Sequence, residues 1–321
     1  MDGGSDSMSV LLNATFLATL LAAGVRMTIP ILLPAVGEIF AERSGILNIN
    51  LEGQMLIGAF CSFVVSYYTH SLLLSLLVGA ASGVLLAMLM AVCCVRWHCN
   101  HCVIGITLNM FSLGFTSFWY RVIYGVTTAP PKADVSSGMV AIPGLSKIPF
   151  LGEILFQQNF LFYLSLVIVA VSFYILHKTQ FGLKIRATGE YPRAAETMGV
   201  NVSRIQVISM AICGSLAGMG GSFLSLISLN RFVDNITASR GFIALAIVIF
   251  GKWEPWKVLL ASLLFGTIDA LQLRLQAVGV DAPYQLLSML PYLLTIFVMI
   301  FTAKRSHSPA ALGENYEREQ V

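Results

Sequence analysis

The residues best suited to chemistry in this sequence crowd into the stretch FAERSGILNINLEGQ, from Phe40 to Gln54. Glu42, Arg43, Asn48, Asn50 and Glu52 fall there, inside a chain that is otherwise largely apolar. From Leu47 to Glu52 apolar and polar residues alternate, so an extended backbone puts Asn48, Asn50 and Glu52 on one face. As a helix, the same residues keep Asn48 and Glu52 adjacent at i, i+4. Two roles fit this pattern. Asn50 can cap a helix starting near Gly53, with Glu52 favoured in its first turn. Alternatively, the segment lines or gates a polar path, since acids and amides among apolar residues are costly unless paired or turned to water. Arg43 is the expected partner of Glu42 or Glu52.

Further polar residues stand in apolar runs. Asp269, Gln272 and Gln276, at i, i+3, i+7, share one helical face; a carboxylate and amides suit sugar hydroxyls and base edges. Asn109 precedes Phe111, Phe115 and Trp119, whose i, i+4, i+8 spacing fits either stacking on a base or packing against lipid and neighbouring helices. CCVRWHCNHC (93–102) has Cys99 and Cys102 in C-x2-C spacing with His98 and His101 alongside, but no second ligand pair at a metal-binding spacing. A reduced cytoplasmic loop is the simpler reading, and no metal is expected. No G-x-x-x-x-G-K-[ST], H-E-x-x-H or Ser/His/Asp arrangement occurs, so the chain has no phosphate-cradling loop and no catalytic constellation. It is expected to be neither an enzyme nor the holder of a cofactor.

RATGEYPRAAETMGVNVSR (186–204) predicts a short helix in a polar loop. Pro192 suits the first helical position, where its missing N–H costs nothing. Arg193, Ala194, Ala195, Glu196, Thr197 and Met198 continue the helix, and Gly199 suits a left-handed stop. A helix of two turns is marginal alone and needs a surface to dock against. The Ala194–Ala195 pair leaves room for a partner that Arg193 and Glu196 can orient.

The pattern xAAxxxG at 193–199, in a loop between spans, resembles the coupling segment of ABC importer permeases. ERSGILNINLEGQMLIGAF (42–60) together with RATGEYPRAAETMGV (186–200) resembles the branched-chain-amino-acid and simple-sugar permeases, and most of all their nucleoside-type branch. The likeness extends from about Thr28 to about Ala303. It implies an all-α, type II-like permease of about eight to ten transmembrane helices in a bacterial plasma membrane. It further implies a second, paralogous permease subunit, a cytoplasmic ABC ATPase that uses the ATP, and an extracytoplasmic substrate-binding lipoprotein. Pro192, Arg193, Ala194, Ala195, Glu196 and Gly199 would then couple to the ATPase. Asn48, Asn50, Glu52, Asn109, Phe111, Phe115, Trp119, Asp269 and Gln272 would line the path. The implied cargo is a nucleoside, with simple sugars or branched-chain amino acids as the alternative and an ion-coupled transporter as a different class.

The elements that must position these residues are membrane spans. The chain has 321 residues, 57% hydrophobic and 11% charged, with a mean hydropathy of +0.80; a soluble domain is nearer a quarter charged. Apolar runs predict spans at 10–25, 27–41, 53–69, 72–95, 102–124, 159–177, 205–229, 240–251, 257–278 and 284–303. Those at 27–41 and 240–251 are short, and are expected to be tilted, broken or re-entrant. Residues 1–9 form an N-terminal tail without the basic region of a cleaved signal, 10–303 the permease domain, and 304–321 a polar tail expected to be disordered. Placing the basic loop 178–204 inside puts twelve of the nineteen Lys and Arg residues on that side. Ten spans place both termini inside; eight or nine crossings are the alternatives. The outer loop 125–158 carries Ile142, Leu145, Ile148 and Phe150, which suit a membrane surface or a partner. In GSLAGMGG (214–221), Gly214 and Gly218 predict close helix approach, within one subunit or at a subunit seam.

Overall fold

The first apolar stretch forms one helix, α1 (Ala14–Arg43), rather than two spans. Arg26, Pro30 and Pro34 divide the hydrophobic run in sequence but do not break the backbone. Proline survives inside a spanning helix where neighbours satisfy the freed carbonyls; here Gly220 leaves space for the Pro34 ring. Thirty residues at 1.5 Å each reach about 45 Å, enough to cross about 30 Å of hydrocarbon with tilt. The structure, a computed structural model, describes residues 14–125, 131–133, 139–141, 154–278, 283–302 and 308–316.

The remaining long helices are α2 (Leu51–Thr69), α3 (Leu72–Ala91, continued by a π-helical turn to Arg96), α4 (His101–Tyr124) and α5 (Phe160–Lys178). After two short helices, α6 (Gln180–Glu190) and α7 (Pro192–Thr197), come α8 (Val202–Phe223, with a π-helical turn to Ser228), α9 (Arg240–Phe250) and α10 (Pro255–Val278). The last helices are α11 (Tyr284–Ser288) and α12 (Leu290–Thr302). Among the described residues, six helices are long and apolar enough to cross a membrane. The chain is a multi-pass, all-α membrane protein. Among the described residues one antiparallel strand pair is present, β1 (Met139–Ala141) with β2 (Gln157–Asn159), in register Val140 to Gln158. Ile142, Leu145, Ile148 and Phe150 lie outside the described residues.

The centre is helix against helix at backbone distance. Gly214 and Gly218 of α8 face Gly83 and Gly79 of α3, and Gly58 of α2 meets Gly218 from another side. A Cβ at Gly58, Gly83, Gly214 or Gly218 would run into backbone, and one at Gly79 into the Ser222 hydroxyl. The glycine cluster is thus used inside one subunit, where close approach replaces side-chain interdigitation. Phe63 and Phe232 are fully buried at the end remote from α7, with Tyr120 and Tyr124 against them at centroid distances of 5.4 and 5.6 Å.

One end of the bundle gathers the C-terminus of α1, the 97–101 turn, α6, α7 and the start of α10. Arg43 pairs with Glu254 at 3.3 Å and His177 approaches the same carboxylate at 3.2 Å. This basic end also holds residues 308–316, which are packed rather than free: Ala311 N–H donates to Gly189 O and Gly313 N–H to Gly45 O, both at 2.9 Å. The disorder expected of this part of the tail is not found. Its small residues reach backbone acceptors that lie far away in sequence. Because α1 is a single helix, its start at Ala14 lies at the opposite, far end. The described residues therefore begin at Ala14 and finish at Tyr316 at opposite ends of the bundle, where ten spans would put them at the same end; the termini themselves lie outside the described residues.

Candidate functional site

Two crossings of this bundle begin with non-helical backbone, and they meet. After Arg43 the chain turns at Gly45 (φ +95°) and heads back into the bundle. Asn48 reaches Cys213, eleven residues into α8 from Val202, or about 16 Å from the basic end. Only there does α2 begin. In the other broken crossing, residues 229–239 descend from the far end without regular helix, and α9 supplies the remaining half. Eleven helical residues span about 16 Å, half the hydrocarbon thickness. Irregular backbone at this depth is tolerated because protein surrounds it.

The joint is Glu52. Its carboxylate accepts from Gly241 N–H at 2.6 Å and Ser239 N–H at 2.9 Å, closing the N-terminus of α9 while sitting in the first turn of α2. Two helix N-termini thus share one negative charge, the sign their dipoles favour. Gly241 permits it: a Cβ there would stand 2.5 Å from Glu52 N. On the other side of the same turn, Arg240 donates to Asp269 of α10 at 3.1 Å. Arg240, Asp269 and Gln272 line a cavity of about 370 Å³ between α9, α10 and α12, together with Tyr292 and Ser288. At its other end α9 is held by Trp253, whose indole N–H donates to Glu42, and by Glu254 on Arg43.

Beneath the joint, Asn48 is fully buried in a polar knot. Its N–H and Nδ2 donate to the two Glu38 oxygens at 3.2 and 3.1 Å, and it exchanges amide hydrogen bonds with Gln54 at 3.2 Å. Cys213 donates to Glu38 at 3.2 Å. Asn50 occupies the position before α2 but makes no side-chain cap bond, and both its amide atoms are buried without a partner. Asn109 of α4 does the capping instead, accepting from Gly53 N–H at 2.7 Å and donating to Ile49 O at 2.8 Å. Arg43 pairs with Glu254, not with Glu42 or Glu52.

The structure therefore joins Glu52 and Asp269 through the first turn of α9, and Asn48, Asn50 and Asn109 around the start of α2. Phe111, Phe115 and Trp119 form a ladder with centroid spacings of 5.5 and 6.2 Å on the exposed face of α4, and none of them lines the Asp269 cavity. Sequence reasoning missed Gln54, Cys213, Arg240 and Glu254. Glu38 and Glu42, one helical turn apart at the end of an apolar run, are the available signal.

At the basic end α7 runs from Pro192 to Thr197 and stops at Gly199 (φ +82°), whose N–H bonds Glu196 O while Val200 N–H bonds Ala195 O. Ala195 is buried; Arg193, Ala194 and Gly199 are exposed. Leu183, Tyr191 and Met198, the last 84% exposed, border an apolar cleft of about 600 Å³ between α6 and α7. His98 and His101 of the cysteine-rich turn bond to Tyr316 O and Asn315.

Residues 20–299 match the family described as branched-chain amino acid transport system, permease component. The chain belongs to this family. The permease is 38% identical over 299 residues to the guanosine ABC transporter permease protein NupQ of Bacillus subtilis, covering 89% of this chain and 92% of that one. It is 36% identical to the nucleoside ABC transporter permease protein NupC of Lactococcus lactis (89% and 93%). It is 35% identical to the putative glucose ABC transporter permease protein TsgC13 of Haloferax volcanii (95% and 99%). No solved structure matches the permease. Its relatives are transport subunits, and it is one as well.

Proposed function

We propose that this permease is one membrane half of an ATP-driven, binding-protein-dependent importer of nucleosides in a bacterial plasma membrane. A cytoplasmic ABC ATPase, a second, paralogous permease and an extracytoplasmic binding lipoprotein complete it. The observation that carries the reading is α7: a capped two-turn helix standing beside an apolar cleft, with Met198, Tyr191 and Leu183 exposed at the basic end. Such a surface suits a protein partner, and ion-driven transport would give it no task. The cargo assignment rests on the relatives named for guanosine and nucleosides. The relative named for glucose favours sugars as the second reading.

In this reading the ATPase holds Arg193, Ala194 and Met198, and its movement passes through α6 and the end of α1 to the broken crossings. Parting α9 from α2 at Glu52 opens the path past Asn48, Asn50 and Asn109 toward Asp269 and Gln272. Those carboxylates and amides offer weak, exchangeable partners to ribose hydroxyls, so the cargo is passed rather than held. The ladder Phe111–Phe115–Trp119 contributes where the second permease faces it. The chain itself makes and breaks no covalent bond.

Uptake of labelled uridine, adenosine, ribose and leucine in cells with and without this chain tests the assignment. Loss of nucleoside uptake alone is expected. Loss of ribose or leucine uptake, with nucleosides unaffected, transfers the cargo to the second reading.

A further inference from the structure

Residues 308–316 lie across the basic end and touch, in one short run, the pieces that transport must move together. Ala311 N–H bonds Gly189 O in the last turn of α6, directly before α7. Two residues later, Gly313 N–H bonds Gly45 O, at the turn where α1 gives way to the re-entrant segment. Gly313 has φ +77°, a backbone shape that glycine adopts without strain. Tyr316 then extends its hydroxyl to the Glu196 carboxylate on α7.

Between these contacts lies His101. Its Nδ1 accepts from Leu47 N–H at 3.2 Å, so in the neutral ring the proton is on Nε2. That nitrogen donates to Asn315 Oδ1 at 3.0 Å, while Asn315 Nδ2 donates to His98 O at 2.6 Å. Leu47 stands one residue before Asn48, the centre of the buried polar knot. The chain of bonds therefore runs Glu196, Tyr316, Asn315, His101, Leu47, from the docking helix to the gate.

We propose that residues 308–316 are a coupling strap, with Asn315, Tyr316 and His101 as positioning residues that tie displacement of α7 to displacement of the segment 44–50. The proposal rests on the reading of α7 as the ATPase-docking helix. Gly189 already lies against the Arg43 backbone, so α6 and α1 move as neighbours. The strap adds the link to α7 itself and to Leu47, the two places where the docking and gating movements begin and end.

The test measures nucleoside carried per ATP hydrolysed in the assembled importer, because a purely structural role lowers assembly, hydrolysis and uptake together and leaves that ratio unchanged. Chains lacking 308–321, and full chains with Asn315→Ala or Tyr316→Phe, are compared with the unaltered protein. His101→Asn keeps an acceptor near Leu47 and loses Asn315; His101→Gln does the reverse. The ratio is expected to fall about tenfold in the truncated chain, Asn315→Ala, Tyr316→Phe and both His101 variants, within the range of ordinary coupling energies. An unchanged ratio in the assembled point variants overturns the strap, even if the truncated chain fails to assemble. Absence of nucleoside uptake by the unaltered importer overturns instead the functional reading on which the strap depends.

Discussion

Glu52 does more than favour the first turn of its own helix. Its two carboxylate oxygens satisfy two backbone donors at the start of α9, so a single side chain holds the N-termini of α2 and of the half-helix α9 together at membrane depth. Glu52→Gln keeps the volume, removes the charge, and puts an NH2 group against one of two N–H donors. Losing a charge-assisted bond of this kind costs about 1–3 kcal/mol. We expect the joint to loosen, with uptake falling about tenfold at unchanged assembly; normal uptake by an assembled Glu52→Gln importer means the charge has no part in gating. The sequence pointed to Asn48 and Glu52 because alternation in 47–52 is a local signal. It misassigned the cap of α2 because the residue that does the capping, Asn109, comes from another helix. It likewise missed Glu254 as the partner of Arg43. Pairings of this kind follow from helix packing, which no window of sequence contains.

Among elements, α7 was the most legible. Pro192 opens it and Gly199 closes it, both through backbone preferences that act within a few residues. Its orientation was not legible: of the two alanines, Ala195 is buried on the body of the protein and Ala194 faces out. A bulky residue at 195 would unseat the helix, whereas one at 194 meets the partner. Ala194→Trp is therefore expected to leave membrane insertion intact and to break co-purification with the ATPase, with uptake lost. Retained co-purification and uptake would exclude α7 as the docking helix. The half-helix α9 was legible as too short to span. That its N-terminus would meet that of α2 was not, since the contact depends on Gly241 and on the re-entrant path of residues 46–50. Composition predicts a disordered tail over 304–321, strap included, because small and polar residues look the same whether they are solvated or bonded to a neighbouring backbone.

For the whole molecule, the parity of crossings decides which side each terminus faces. The count among described residues runs α1, the 46–50 segment with α2, then α3, α4, α5 and α8. If the 229–239 segment with α9, then α10, and finally α11 with α12 also cross, the total is nine, of which six are helices long and apolar enough to cross by themselves. Hydropathy divided α1 in two at Arg26, and that extra crossing is what places Ala14 and the strap at the same end. A window average cannot distinguish two short spans from one long, tilted helix whose prolines are accommodated by Gly220 and its neighbours. The Lys and Arg balance, by contrast, gathered Arg43, Arg96, the 178–204 segment and Lys252 at one end, as the structure does. That end also carries α7 and the strap, so it must be cytoplasmic if an ATPase is to reach it. In a cysteine-free background, Leu17→Cys at the far end should react with a membrane-impermeant maleimide in intact cells. Ser308→Cys, exposed at the basic end, should react only after the cells are opened. Equal behaviour of the two sites would require an even number of crossings. It would also divide α1 after all, and with it the single rigid rod that carries Glu38 and Glu42 beneath the joint and reaches Thr19 at the far end.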